Sequence, residues 1–334
     1  MEIVKDSITR KVTGKLFLPF YNLWNSNVYY QDQPFEYSPT FIRSNSTSGS
    51  PVIMGNNFFI GCLNPHADAV FKYDGTNLIC QAGPQQDFFY SEGDPREIWQ
   101  EYNLYVSQNL PHKNNSTVPT LNEIEYCTWV EQKKFASKEY NDDGMTGAVR
   151  AMNDEFIDDY LRRIDKMNLP RGVFTLDHGW IIGSDTFDFG IPQPDTSKFK
   201  DFSETIRRIS NAGFLPGIWF APAFLYPDND FFETCPEAKG EMFTGANEGG
   251  FQFPLHYFEV TPETSGAIYN HFVKIFKPYL EMGVMKLKID FTYNNKSKMI
   301  KILELLYKAV KCINPAVEVE GHIPDIFATP YQDA

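Results

Sequence analysis

The chain has 334 residues, which is long enough for two domains with sizeable hydrophobic cores. Its net charge of −13, from 30 basic and 43 acidic residues, disfavours partners that carry a phosphate backbone, so we expect neither a nucleic acid nor an anionic membrane as partner. Aromatic residues make up 16% of the chain, with 29 Phe and 18 Tyr, a content that dense β-structure explains more often than sugar-stacking surfaces do.

The cysteines and the first residues bear on the cellular compartment. The five cysteines are odd in number, lie far apart and include no Cys-x-x-Cys pair, so free thiols are predicted instead of a disulfide framework or a zinc knuckle. The start, Met-Glu-Ile-Val-Lys-Asp, is not a basic segment followed by an apolar run, and no apolar stretch reaches the length of a membrane span. We therefore expect a cytoplasmic protein with no metal or other cofactor.

The pattern of residues 1–118 indicates a β-rich domain. Short apolar or alternating runs are separated by turn residues, and no convincing helical period appears before residue 110. Asp74-Gly75, between the runs 70–73 and 78–80, is typical of a tight β-hairpin turn. We predict an antiparallel β-sandwich over residues 1–118 that ends in a polar, proline-bounded linker. The main runs are 15–20, 57–63, Ala69–Tyr73 and 102–106.

After residue 120 the pattern changes to strands that alternate with helices. Helical periods separate five short β-runs, all compatible with right-handed parallel crossovers. We predict a (β/α)8 TIM barrel over residues 119–334, of which about the first five βα units are present. The predicted strands are 124–130, Val173–Leu176, 217–220, 284–293 and 316–319, and the predicted helices are 147–168, 199–211, 263–282 and 297–313.

Polar and aromatic side chains stand where these strands end. Catalytic groups in parallel α/β barrels lie at the C-terminal ends of strands, and Asp290 is in that place in the apolar run 284–293. An Asp that closes a strand is also a common turn or helix-capping residue, which is the structural alternative. The residues that we expect to converge on one rim are Trp129, Asp177, His178, Trp180, Trp219, Lys288, Asp290, Glu320 and His322.

Carboxylates and aromatic rings on a common rim are what glycoside cleavage requires. Indole rings stack on sugar faces, and carboxylates bind hydroxyls, attack the anomeric carbon or move protons. Lys288 lies two residues before Asp290 on the same strand face, so we expect it to bind a hydroxyl and to hold Asp290 ionised. We expect His178 to be a sugar contact or a satisfied rim histidine, because no clustered His or Cys accompanies it as in a metal site.

Four segments of the sequence resemble those of a known enzyme family. Leu-Lys-Ile-Asp-Phe (287–291), Thr-Leu-Asp-His-Gly-Trp (175–180) and Pro-Gly-Ile-Trp-Phe-Ala-Pro (216–222) together look like motifs of the α-galactosidase (melibiase-type) retaining glycoside hydrolases, family 36-like. The wider clan also contains α-glucosidase-like enzymes. The segment 256–263 resembles the stretch that leads to the nucleophile strand of that family.

The resemblance implies a role for three of the rim residues. It makes Asp290 the covalent nucleophile, Lys288 a ligand of substrate hydroxyls and Asp177 a ligand of the outer sugar hydroxyls. We expect the substrate to be contacted as well by Trp129, His178, Trp180, Trp219 and Glu320, whereas His322 is expected to form a hydrogen-bonded loop pair with Glu320.

Three departures limit what the resemblance implies. His178 follows Asp177 where family members commonly have a second aspartate, so the sugar is not fixed as galactose. Ala221-Pro222-Ala223 replaces a segment that commonly carries two acids, and residues 318–324 replace a Cys-Ser-Gly-Gly pattern. Contacts at these two strand ends are therefore not carried over.

The quoted motifs contain no residue for the general acid/base that works with the nucleophile. A retaining enzyme needs a second carboxyl group about 5–5.5 Å from the nucleophile as general acid and base. The family places it after the sixth strand, and Ala334 comes before such a strand, so we expect the acid/base outside this chain and the chain to be a fragment. Asp325 and Asp333 are weaker substitutes.

Together these observations predict a retaining, exo-acting α-glycosidase, similar to α-galactosidases, that hydrolyses oligosaccharides or other glycosides. A non-catalytic carbohydrate-binding relative is the alternative from a different class, because the altered motifs also fit lost chemistry with retained sugar contacts. A transglycosylase is a third possibility, since a sugar hydroxyl can attack the covalent glycosyl ester in place of water. The sequence leaves open the sugar, the linkage and whether the chain forms a homo-oligomer.

Overall fold

The computed structural model of the chain describes residues 1–18, 29–31, 33–38, 51–64, 66–110, 118–183, 192–243, 255–290, 296–321 and 327–333. His322, Asp325 and most of the predicted linker lie outside these ranges. No helix among the described residues is long and apolar enough to cross a membrane.

Two antiparallel sheets form the N-terminal part. Their strands are β1 (Glu2–Val4), β2 (Ser7–Lys11), β3 (Leu16–Leu18), β4 (Tyr29–Gln31), β5 (Phe35–Tyr37), β6 (Val52–Gly55), β7 (Phe58–Cys62), β8 (Ala69–Tyr73), β9 (Asn77–Ala82) and β10 (Phe88–Glu92). One sheet has the order β1-β10-β7-β6-β3-β4 and the other β2-β9-β8-β5. Phe71 of β8 and Phe88 of β10 are both buried, with ring centroids 5.9 Å apart. The two sheets therefore share one hydrophobic core, as the predicted sandwich requires.

The Asp74-Gly75 hairpin is confirmed. Strands β8 and β9 pair antiparallel on either side of it. The Asp74 carboxylate accepts hydrogen bonds from the backbone N–H groups of Thr76 and Asn77 at 2.8 and 2.7 Å. Gly75 has a φ of 96°, in the left-handed region that glycine tolerates best.

Helix α1 (Pro95–Asn109) corrects the sequence analysis, which found no helix before residue 110 and assigned 102–106 to a strand. Asp94 caps the helix by accepting the backbone N–H of Arg96 at 2.9 Å. Apolar residues at 102, 104 and 106 imitate the period of a strand, but Leu104 is 62% exposed. The buried side chains instead recur at every fourth residue, namely Ile98, Tyr102 and Val106.

The C-terminal part is built around five parallel strands. Its elements are β11 (Glu125–Cys127), α2 (Trp129–Tyr140), α3 (Met145–Ala151), α4 (Asp154–Lys166), β12 (Val173–Leu176), α5 (Phe202–Asn211), β13 (Leu215–Phe220), β14 (Phe224–Leu225), α6 (Asp230–Thr234), β15 (Lys239–Phe243), β16 (Leu255–Phe258), α7 (Ser265–Glu281), β17 (Lys286–Ile289), α8 (Lys296–Ile313) and β18 (Glu318–Gly321). The sheet order is β11-β12-β13-β17-β18, and every neighbouring pair is parallel. The five predicted strands are therefore confirmed as one parallel sheet with intervening helices.

Three details differ from the sequence analysis. The first strand ends at Cys127, so Trp129 begins helix α2 instead of closing a strand. The predicted helix 147–168 is two helices, because the Asn153 side chain accepts the backbone N–H of Phe156 and starts α4 anew. A small antiparallel sheet of order β14-β16-β15, which was not predicted, lies between β13 and α7 in the chain.

Gly75→Ala is expected to lower the free energy of unfolding by about 1–2 kcal/mol, because a Cβ atom strains a left-handed backbone. Crowding is not the cause, since an added Cβ would meet only Pro34 Cγ at 3.7 Å. Gly266→Ala in helix α7 is the matched control, as its added Cβ meets nothing within 4 Å. It should raise the free energy of unfolding by up to about 1 kcal/mol. Urea unfolding measures both variants, and equal effects would contradict the role of Gly75 in the turn.

Candidate active site

Alternation along the parallel strands separates an apolar face from a polar face. The apolar face packs against helices, as Phe220 of β13 does with Phe276 of α7, whose ring centroids are 5.1 Å apart. The same apolar face carries three buried side chains that are paired across β13, β17 and β18, namely Ile218, Leu287 and Val319. One residue further along, Trp219, Lys288 and Glu320 are also registered neighbours, so their side chains lie on the opposite face. This polar face carries the candidate site.

Asp177 and Lys288 form a largely buried ion pair on the polar face. Lys288 Nζ lies 2.6 Å from Asp177 Oδ2, and the two side chains are only 15% and 6% exposed. Burial is the largest single influence and lowers the pKa of Lys288, but the charge and hydrogen bond of Asp177, together with the nearby Cys127 and Glu320, raise that pKa above its ordinary value. The lysine therefore stays an ammonium group, which gives the site a fixed donor beside a fixed acceptor.

A buried network behind Asp177 holds the end of β12 in place. The backbone N–H of Asp177 donates to Thr128 Oγ1 at 2.8 Å, and the N–H of His178 donates to Asp177 Oδ1 at 2.8 Å. The Gln132 side chain accepts a hydrogen bond from the Thr128 hydroxyl and donates one to the His178 carbonyl. The first turn of α2 thus orients the Asp177 carboxylate.

Asp290 follows β17 directly, with its carboxylate bonded to an indole. Trp219 Nε1 donates to Asp290 Oδ2 at 3.0 Å. The backbone N–H of Asp290 donates to the Phe220 carbonyl at 2.8 Å and continues the ladder between β13 and β17. The carboxylate is partly exposed. It is therefore held in one orientation at the C-terminal end of the sheet, where a nucleophile is expected.

Three aromatic side chains form a row beside these carboxylates. The rings of His178 and Trp219 are stacked with centroids 4.6 Å apart, and His178 stacks on Trp129 at 6.3 Å. His178 and Trp219 are buried, whereas Trp129 is half-buried. Of the three predicted aromatic contacts, Trp129 is the most accessible to a ligand, while Trp219 orients Asp290.

Trp180 lies apart from the polar face. Its indole is fully buried and packs on Phe202, Phe220 and Tyr279, and its Nε1 donates to the Trp219 carbonyl at 3.0 Å. A contact between Trp180 and substrate stays a prediction. The position supports another function, which is to hold the backbone of β13 beneath Trp219.

The sequence analysis missed an ion cluster centred on Lys286. Its Nζ lies 2.8 Å from Glu125, 3.1 Å from Glu318 and 2.7 Å from Glu320. Burial lowers the pKa of Lys286, but hydrogen bonds with Glu125 and Glu320 and their charges raise it above its ordinary value. The signal was in the sequence, because Lys-x-Lys on β17 and Glu-x-Glu on β18 place like charges on one face of each strand.

The remaining candidates are placed as follows. Asp333 pairs with Lys311 at 2.7 Å and accepts the backbone N–H of Val319 at 2.9 Å, so it ties the end of the described chain to β18 and α8. His322 and Asp325 lie outside the described residues. No group of three or more His, Cys, Asp or Glu side chains suited to a metal ion occurs in the described part of the chain.

The chain is similar in structure to solved α-glycosidases. An α-galactosidase from Thermus thermophilus in complex with stachyose superposes with a TM-score of 0.66 at 17% identity, over 99% of this chain and 71% of that one. The GH36 α-galactosidase AgaA from Geobacillus stearothermophilus gives 0.62 at 12% identity, over 98% and 50%. A GH31 α-xylosidase from a soil metagenome, complexed with xylose, gives 0.61 at 10% identity, over 98% and 47%.

These likenesses show a shared fold, and they confirm at that level the family resemblance that the motifs predicted. No protein-family model and no curated protein matches the sequence. The chain spans about half the length of several of these solved structures, including the AgaA enzyme and the α-xylosidase.

Lys286→Met is expected to lower the free energy of unfolding by about 3–5 kcal/mol, because it removes the ammonium group that the carboxylates of Glu125, Glu318 and Glu320 share. Lys277→Met is the matched control. Lys277 pairs with Glu281 at 3.7 Å on the surface, where both side chains are more than half exposed, so the change should stay within about 0.5 kcal/mol. Chemical denaturation measures both variants, and similar losses would contradict a special role of the cluster.

Proposed function

We propose that the chain carries the sandwich and the first part of the (β/α)8 barrel of a retaining exo-α-glycosidase, similar to α-galactosidases. It would hydrolyse terminal α-linked sugars through a covalent glycosyl-aspartate. The observation that carries the proposal is the Asp290 carboxylate, held by Trp219 at the C-terminal end of β17, on the same face as the Asp177–Lys288 pair. The solved α-galactosidases and α-xylosidase that share the fold support it.

Curvature of the parallel sheet supports the barrel. Glu125 on β11 and Lys286 on β17 are three strands apart in the sheet order, which is about 14 Å in a flat sheet. Their side chains nevertheless meet at 2.8 Å, and Lys286 also reaches Glu318 on β18. We infer that the sheet curls toward its polar face, because a curl shortens the span that the Glu125 and Lys286 side chains have to bridge. A sheet that curls in this way around inward-pointing side chains is what a TIM barrel requires.

In the proposed mechanism Asp290 attacks the anomeric carbon of a bound α-glycoside. A bond forms between a carboxylate oxygen and that carbon while the bond to the leaving oxygen breaks, which gives a β-glycosyl ester. A second carboxyl group protonates the leaving oxygen and then takes a proton from the water that cleaves the ester, so the sugar leaves with its configuration retained.

The second carboxyl group is proposed to lie outside the described part of the chain. Asp177 and Glu320 each have a carboxylate oxygen within 2.7 Å of a lysine ammonium group, so each is already engaged by a charged donor. Asp333 is paired with Lys311. Asp177, Lys288 and Glu320 therefore serve as proposed ligands of sugar hydroxyls, and Trp129 and His178 line the same region.

Labelling with an activated fluoro-α-glycosyl fluoride tests the nucleophile. Fluoride departs with little protonation, so the label forms even where the general acid is absent. We expect the mass of one fluorosugar on the peptide that contains Asp290 and none in Asp290→Asn. Because the sequence does not predict which sugar is bound, the galactosyl, glucosyl and xylosyl reagents should be compared. Peptide mass spectrometry provides the measurement.

Asp158→Asn is the matched control for this experiment. Asp158 is an exposed side chain of α4 that pairs with Arg208, and its replacement should leave labelling unchanged. A label on a different carboxylate would refute the role of Asp290. Sugar binding without any label in the wild-type protein would favour the non-catalytic carbohydrate-binding relative.

Trp219→Phe is expected to slow labelling of Asp290 by about 10- to 100-fold, because it removes the indole N–H that orients the carboxylate while keeping an aromatic ring on His178. Phe231→Leu, in the aromatic cluster with Phe258 and His271, is a control for general loss of packing and should leave the rate within about threefold. Equal rates for Trp219→Phe and the wild type would contradict the orienting role.

A further inference from the structure

Cys127 touches both members of the Asp177–Lys288 pair. Its Sγ lies 3.1 Å from Asp177 Oδ2 and 3.5 Å from Lys288 Nζ. We propose that Cys127 is a positioning residue, whose thiol limits the hydrogen bonds that this pair can offer to a sugar hydroxyl. The inference rests on the proposed function, since it deepens the role of the same site.

The backbone ladder places the thiol at this point. Cys127 of β11 is registered with Thr175 of β12, and Thr175 and Asp177 are two residues apart on one face of that strand. The N–H of Thr128 donates to the Thr175 carbonyl at 3.0 Å, which extends the pairing beyond Cys127. The side chains of Cys127 and Asp177 are therefore brought together by the strand pairing itself.

The thiol acts as a donor toward Asp177. Burial, together with the charge of Asp177, raises the pKa of Cys127 to about 12, although Lys288 works in the opposite direction. Below that pH the sulfur keeps its proton, and the nearest acceptor is Asp177 Oδ2. Lys288 in turn donates to both Asp177 Oδ2 and the sulfur. The three groups are therefore joined in a closed ring by three hydrogen bonds.

Counting donors and acceptors shows what the ring leaves for a ligand. A carboxylate has about four acceptor positions and an ammonium group has three N–H donors. Among the described contacts, Asp177 accepts from His178 N–H at Oδ1 and from Cys127 and Lys288 at Oδ2. Lys288 uses two of its donors. Asp177 then has one acceptor position left for a ligand, and Lys288 has one N–H donor left. Loss of the thiol would free a second acceptor position on Asp177 and a second donor on Lys288.

Two substitutions separate positioning from packing. Cys127→Ser keeps a hydrogen-bond donor, and Cys127→Ala removes it at similar volume. A packing role would make Ser the worse replacement, because a hydroxyl is more polar than a thiol in a buried place. A positioning role makes Ala the worse one.

The measurement is the concentration dependence of Asp290 labelling by the activated glycosyl fluoride. Cys127→Ala removes a contact that fixes the orientation of Asp177 and Lys288, and it leaves the freed positions to water. We therefore expect it to raise the half-saturating concentration about tenfold with little change in the rate at saturation, and Cys127→Ser to stay within about threefold of the wild type. Cys312→Ala is the control, because that thiol is exposed and should leave both parameters unchanged. Equal effects of Ala and Ser, or a larger effect of Ser, would overturn the proposal.

A second experiment does not depend on catalysis. Iodoacetamide alkylation of Cys127 at pH 9, followed by peptide mass spectrometry, is compared in the wild type and in Asp177→Asn. Removing the carboxylate leaves Lys288 beside the thiol and makes it more acidic, so we expect alkylation to be at least about tenfold faster. Cys312 in the same samples should react at an unchanged rate.

The two experiments fail in different ways. Faster alkylation without any labelling of Asp290 in the wild type would overturn the proposed function and the effect of Cys127 on it, while the contact of Cys127 with Asp177 and Lys288 would stand. An unchanged alkylation rate would overturn the position assigned to Cys127, whether or not Asp290 is labelled.

Discussion

Two ammonium groups buried on one face of β17 constrain the parallel sheet. Such a group is stable in a protein interior only when carboxylates surround it. Lys286 takes partners from β11 and β18, and Lys288 takes Asp177 at the end of β12. In the proposed barrel, the strands that supply these carboxylates curl toward β17 with the charges on the inner face. The ion pairs therefore link the curvature of the sheet, which hydrogen bonding alone does not determine, to the charges that line the site.

The apolar face of the sheet supports the same site from behind. Trp180 is packed between the sheet and the helices, and its indole N–H bonds the Trp219 carbonyl. Trp219 lies on the opposite face and bonds Asp290. A single chain of contacts thus runs from the hydrophobic layer to the proposed nucleophile. A change in packing at Trp180 would reach Asp290 through the backbone of β13, without any contact between Trp180 and substrate.

Periodicity and local motifs predicted the parallel strands and the hairpin at Asp74, and they selected Asp177 and Lys288, which the structure joins in an ion pair. They could not predict features that depend on partners distant in sequence. Helix α1 was missed because its buried stripe is narrow and Leu104 imitated a strand. Glu125 and Cys127 gave no signal, since each becomes informative only when curvature of the sheet brings it to a lysine of β17. Residue type and spacing describe a strand face, but they do not describe its curvature.

Hydrogen bonds from neighbouring elements orient both aspartates of the rim. Asp177 is bonded by an ammonium group, a thiol and a backbone N–H, so its charge is balanced and its orientation fixed. For Asp290, the indole N–H of Trp219 donates to the carboxylate, and the backbone N–H extends the ladder between β13 and β17. A nucleophile and a hydroxyl ligand both need a fixed geometry relative to the sugar. The stacked rings of His178 and Trp219 connect the two aspartates, because the N–H of His178 bonds Asp177 and the indole of Trp219 bonds Asp290. A displacement of either ring would therefore disturb both carboxylates.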